Sequence, residues 1–138
     1  MGKFYKRFKD YKNCLAKLNY CKTRENEIET DDIILSGIVN HFSLLFDLSW
    51  KVMKDLIVEY YGFTDFSLGS PRGCLEKAFS LNLINDETIW ISMMKLRNNL
   101  AHDYNYNFAR EEVYNILNVY RNVFNEFEDY VDKLSNKF

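Results

Sequence analysis

Apolar residues recur along this chain at steps of three and four, with no alternating pattern that would suggest a strand. Phe4, Phe8, Tyr11, Leu15 and Leu18 fall on one stripe, which predicts a helix from about residue 3 into the polar run KTRENEIE. Thr30 or Asp31 can cap a second helix. From Ile33 that helix meets no breaker until Gly62, a natural stop. Its apolar residues (Ile34, Ile38, Phe42, Leu45, Phe46, Trp50, Met53 and Ile57) cover more than one face. Such a helix is central, or packs a partner subunit as well as its own core. FTDFSLGSPRG reads as the main loop, at whose end Ser70 and Pro71 form the N-cap and first residue of a short third helix. In that helix Leu75, Ala78, Phe79 and Leu81 should face inward. NDET caps a fourth helix carrying Ile89, Trp90, Met93, Leu96 and Leu100. A fifth starts near Asn107, with Glu111 and Glu112 in a first turn whose dipole suits acids. Its stripe is Val113, Ile116, Leu117, Tyr120, Phe124, Phe127, Val131 and Leu134. The expected fold is all-α: one domain over residues 1–138, an antiparallel bundle of four long helices and one short one.

Composition adds limits. A single proline and five glycines leave few turns, which favours long helices. Aromatic residues at 17% point to a core or an interface built on rings. The net charge of −2 argues against a broad nucleic-acid-coating surface. The start, KFYKRFKDYK, is nevertheless basic; it can attract phosphate, or it can be a solvated helix face. Cys14, Cys21 and Cys74 are odd in number and lack CxxC or Cys/His pairing, so neither a disulfide framework nor a zinc site is expected. Free thiols in a reducing cytoplasm are the plain reading. Five charges in the first ten residues do not resemble a signal peptide. No apolar stretch is expected to reach the roughly 20 residues of a membrane span.

The stretch RNNLAHDY, residues 97 to 104, concentrates polar chemistry. At about 100° per residue, Asn98 and His102 lie about 40° apart on the fourth helix. The long side chain of Arg97 can swing towards them, and Tyr104 falls in the turn beyond. Arg97 can grip a phosphate through two parallel hydrogen bonds. His102 titrates near neutrality and can take or give a proton. Asn98 can orient the histidine or hold a ribose hydroxyl. No metal or other cofactor is called for, because the patch lacks the carboxylate cluster of a two-metal nuclease. The same residues also suit an ordinary helix end, where Arg and His favour the dipole. His41 reads as a core or interface histidine, and Lys51 and Lys54 as a solvated face.

Three stretches together carry a resemblance. FSLLFDLSWKVMKDL (residues 42–56), SPRGCLEKAF (residues 70–79) and the R-x4-H-x-Y pattern of RNNLAHDY resemble, in order and spacing, the HEPN superfamily (higher eukaryotes and prokaryotes nucleotide-binding domains). More narrowly, they resemble the HepT-like nucleotidyltransferase substrate-binding proteins, partners of minimal nucleotidyltransferases. Leu96, Leu100 and Ala101 stand where some relatives have acidic or small polar residues. The resemblance implies a helical bundle that pairs as a homodimer, with the motifs of both subunits facing one cleft. It implies metal-independent RNA cleavage in which Arg97 binds the scissile phosphate, His102 acts as general acid or base and Asn98 positions. It also implies that a cognate nucleotidyltransferase silences the nuclease by transferring AMP to Tyr104. A non-catalytic substrate-binding subunit is the alternative the same motifs allow. Arg72, a cation at a helix start, hints at a partner or phosphate contact.

Overall fold

A computed structural model describes residues 1–102 and 105–138, apart from the side chain of Leu68. Among the described residues there is no strand, and five helices make the fold. Helix α1 spans Gly2–Lys22 and α2 spans Asp32–Tyr60, the last five residues of α2 forming a wider π turn, Leu56–Tyr60. The short α3 is Pro71–Ser80 and α4 is Glu87–His102. Helix α5 covers residues 106–135: Tyr106–Asn115, a π turn at Ile116–Tyr120, then Arg121–Ser135. Single 3₁₀ turns lie at Glu25–Glu27 and Thr64–Leu68.

Local chemistry sets most boundaries. Asp31 Oδ1 accepts from the Ile33 N–H at 2.9 Å and starts α2. Gly62 ends it with φ of 81°, a left-handed conformation that glycine takes without the cost of a Cβ. Asp86 Oδ1 accepts from Ile89 at the start of α4, inside the expected NDET cap. Helix α5 starts one residue earlier than expected, because Asn105 Oδ1 accepts from the N–H groups of Asn107 and Phe108. Glu111 and Glu112 consequently fall beyond the first turn, which holds no acid.

Helix α2 is central and touches all four others. Most of its surplus apolar residues are spent on this core: Ile38, Phe42, Leu45, Phe46, Met53 and Ile57 are buried, and Ile34 and Trp50 pack against them half-buried. Every apolar residue of the expected α1 and α5 stripes is buried. Rings join the layers. Trp90 of α4 meets Phe124 and Phe127 of α5 edge-on at 5.7 and 5.4 Å, and the buried Tyr11 hydroxyl donates to the Phe124 carbonyl at 2.7 Å. Two expectations need correction. Phe79 is 44% exposed, because the buried arc of α3 is centred on Cys74, Leu75 and Ala78 and leaves Phe79 at its margin. Within the 29 residues of α2, an 18-residue window at mean hydropathy 1.4 also does have the length and composition of a membrane span. Their apolar side is occupied by the other four helices.

Candidate functional site

Arg97 sits in the last two turns of α4, half-buried, and its Nη2 lies 2.9 Å from Asp47 Oδ2 of α2. The Arg97 Nε is buried and makes no hydrogen bond among the described residues. Beside this pair opens a cavity of about 430 Å3. Helix α2 contributes Asp47, Trp50 and Lys51 to its wall, α4 contributes Arg97 and Asn98, and the start of α3 contributes Ser70 to Arg72. Phe46 and Met94 supply apolar surface. The three stretches singled out in the sequence therefore converge on one concavity.

The α3 wall is built by its cap. Ser70 is extended (φ −76°, ψ 164°), its Oγ accepts from the Gly73 N–H at 3.1 Å, and Pro71 occupies the first helical position. This aims the positive end of the α3 dipole at the cavity rim. Arg72 is mostly exposed and has only a loose contact with Glu76, at 3.8 Å. Lys51 makes no ion pair among the described residues, and its ammonium lies 5.8 Å from the Trp50 ring centroid, with that of Lys54 at 5.9 Å. Three cations, Lys51, Arg72 and Arg97, thus line the cavity against a single carboxylate, Asp47, which Arg97 already holds. Such a balance accepts an oxyanion, with Arg97 and Arg72 offering the forked donors that match a phosphoryl group.

His102 is the last residue of α4, one turn beyond Asn98; it is exposed and does not line the cavity. Arg97 and Asn98 are brought together, and His102 is left on the solvent side. Tyr104 lies outside the described residues. Past it, the Tyr106 hydroxyl donates to Asp32 Oδ1 at 2.8 Å, which draws the start of α5 against the first turn of α2.

Sequence reasoning missed the part played by Asp47, because no spacing rule links residues fifty apart. It also took Lys51 for a solvated side chain and saw only a hint in Arg72. The available signal was the charge of Arg72 at a helix start that disfavours cations. His41 is half-buried beside α1, and burial lowers its pKa. The three cysteines are free; burial pushes the Cys14 and Cys74 thiols up to about 11, so both are held as inert thiols. Among the described residues no three His, Cys, Asp or Glu side chains gather where a metal could be held.

The family model described as nucleotidyltransferase substrate binding protein like matches residues 6–133, a span that contains all three convergent stretches. No curated protein matches the chain.

Proposed function

The chain belongs to the nucleotidyltransferase substrate binding protein like family, of the HEPN and HepT-like kind, and we propose that it is the toxin partner of a minimal nucleotidyltransferase, cutting RNA without a metal. The observation that carries this reading is the convergence of the three stretches on one cationic cavity holding Arg97 and Asn98. Arg97 holds the scissile phosphate and stabilises its growing charge. His102 takes the proton of the ribose 2′ hydroxyl as its oxygen attacks phosphorus, or protonates the leaving 5′ oxygen. Asn98 positions one of these groups. A homodimer faces two such motifs across one cleft. The partner enzyme silences the site in the cytoplasm by moving AMP from ATP to the Tyr104 oxygen with release of pyrophosphate, which adds a bulky anion to the signature stretch that repels an RNA backbone.

The test is growth of a heterologous bacterium expressing the wild type, His102→Ala or Tyr104→Phe alone, with total RNA followed over time. Arrest and RNA loss with the wild type, absent with His102→Ala, support the reading. Tyr104→Phe should stay toxic and resist neutralisation when the nucleotidyltransferase is supplied.

A second reading, a non-catalytic subunit that docks to the nucleotidyltransferase and serves or presents its substrate, draws on the Arg97–Asp47 pair and on the position of His102 outside the cavity. A harmless wild type with intact RNA, in the absence of any partner, would put it ahead.

A further inference from the structure

The basic start of α1 meets the candidate site. Lys3, Lys6 and Arg7 line a second groove of about 330 Å3 together with Lys51, and Lys51 also lines the cavity of Arg72 and Arg97. One lysine of α2 is therefore shared by the two concavities, and six cations line the pair. Asp10 and Asp47 are the carboxylates in these walls. Asp47 is held by Arg97, and Arg7 is committed to Asp55 at 2.9 Å. Lys3, Lys6 and Lys51 form no ion pair among the described residues. The local excess is not that of the chain as a whole, which carries more acids than bases.

We infer that this joined groove is a track for single-stranded RNA, in which Lys3, Lys6 and Lys51 hold successive backbone phosphates and lead the strand to Arg97. The inference rests on reading the chain as an RNA-acting protein, and names residues outside the motif that bind the strand. Its extent argues for a strand, since two adjoining concavities and not a single spot carry the cations. Its chemistry argues the same way. Lysines are point charges that accept phosphate without demanding an angle. The half-buried Trp50, with the Lys51 and Lys54 ammoniums 5.8 and 5.9 Å from its ring centroid, offers a ring beside the track on which a base can stack. The track ends at the one arginine whose buried Nε lacks a hydrogen-bond partner among the described residues.

The experiment is fluorescence anisotropy of a labelled twelve-nucleotide oligouridine across a salt series. It uses the full chain carrying His102→Ala, so that the strand survives. Adding Lys3→Ala, Lys6→Ala and Lys51→Ala together should weaken binding by about tenfold or more at low salt. It should also flatten the slope of log affinity against log salt by about 2, or about 0.7 for each phosphate that no lysine now neutralises. Lys22→Ala with Arg24→Ala, at the other end of α1, should change neither, and circular dichroism should show the helices intact in every variant. Unchanged affinity and slope in the triple variant would overturn the track, as would failure of the parent to bind RNA. So would loss of binding to the nucleotidyltransferase partner but not to RNA, which would assign these lysines to an acidic protein face. Cleavage by the chain with His102 intact separates the two proposals. RNA cut as usual with binding indifferent to the lysines would leave the ribonuclease and remove the track. Lysine-dependent binding without cutting would do the reverse.

Discussion

Arg97 can answer Asp47 or a phosphate, and the competition between them sets how readily the cavity takes an anion. The pair is about one-third exposed on both sides, so water screens it and it is worth about 0.5–1 kcal/mol. Asp47→Asn removes the competing charge and keeps the shape. RNA binding by the His102→Ala chain should then tighten about two- to fivefold, the ratio that such an energy sets. Stability should change by less than about 1 kcal/mol, read by urea unfolding. Arg97→Ala should instead abolish cleavage with the helices intact. Asp55 is the opposite kind of carboxylate. Burial pushes its pKa up more than the Arg7 guanidinium draws it down, and nearby Glu59 adds to the rise. The charged form is therefore disfavoured in the folded chain, and the fold binds a proton more readily than the unfolded chain. That penalty is present at neutral pH and is relieved as pH falls through the folded pKa towards the ordinary carboxylate range. Asp55→Asn should be more stable than the wild type at pH 7. It should also lack the gain this one group contributes on acidification, with Arg7, itself one-third exposed, left to water. Urea unfolding from pH 7 to pH 4 checks both.

At the level of elements, α3 shows how a cap serves a site. Ser70→Ala should cost about 1 kcal/mol, measured by urea unfolding, because the Gly73 N–H loses its acceptor. Ser70→Asp should keep the cap and the stability but place a negative charge at the cavity rim, weakening RNA binding. Ser70, Asp31 and Asp86 were legible in the sequence because a cap is local: the acceptor and the amide it satisfies lie two or three residues apart. The stripes of α1 and α5 were legible for the same reason, since burial repeats with the helical period. Asn105 was passed over because YNYN offers several cap candidates in a row. Phe79 misled because it sits at the edge of an arc, where spacing alone does not separate half-exposed from buried. The π turns at Leu56–Tyr60 and Ile116–Tyr120 leave no mark either, as one widened turn hardly shifts a stripe. The site divides likewise. Arg97 and Asn98 could be named from one octapeptide, whereas Asp47, Lys51 and Arg72 join them only through the packing of α2 and α3 against α4. His102 shared the octapeptide, yet the helical turn that sets it beside Asn98 also keeps it out of the cavity.

At the scale of the whole molecule, the fold uses up most of the apolar surplus of α2 that pointed to a dimer, and on that helix Ile33, Leu44 and Tyr60 stay exposed. Ile33 is 80% exposed and Leu44 is 53% exposed, both on α2. They are eleven residues apart, which places them about three turns apart on one line of the helix. The first turn of that line is where the Tyr106 hydroxyl meets Asp32, so the start of α5 lies beside the first turn of α2 that carries the exposed Ile33. A second copy covering this line would bury both side chains, as the proposed homodimer requires. Ile33→Asp with Leu44→Asp should then convert a dimer into a monomer by light scattering, with helix content unchanged because neither side chain enters the core. The proposed composite cleft makes a stricter demand. Arg97→Ala and His102→Ala dimers, each inactive, should regain part of the RNA cleavage when mixed and allowed to exchange subunits, because the mixed dimer keeps one arginine and one histidine on opposite chains. Chains that also carry the two aspartates should regain none. Activity that survives in a monomer would show that one protomer holds the whole site. Arg97 would then have to leave Asp47 and cross the end of α4 to reach His102 in its own chain.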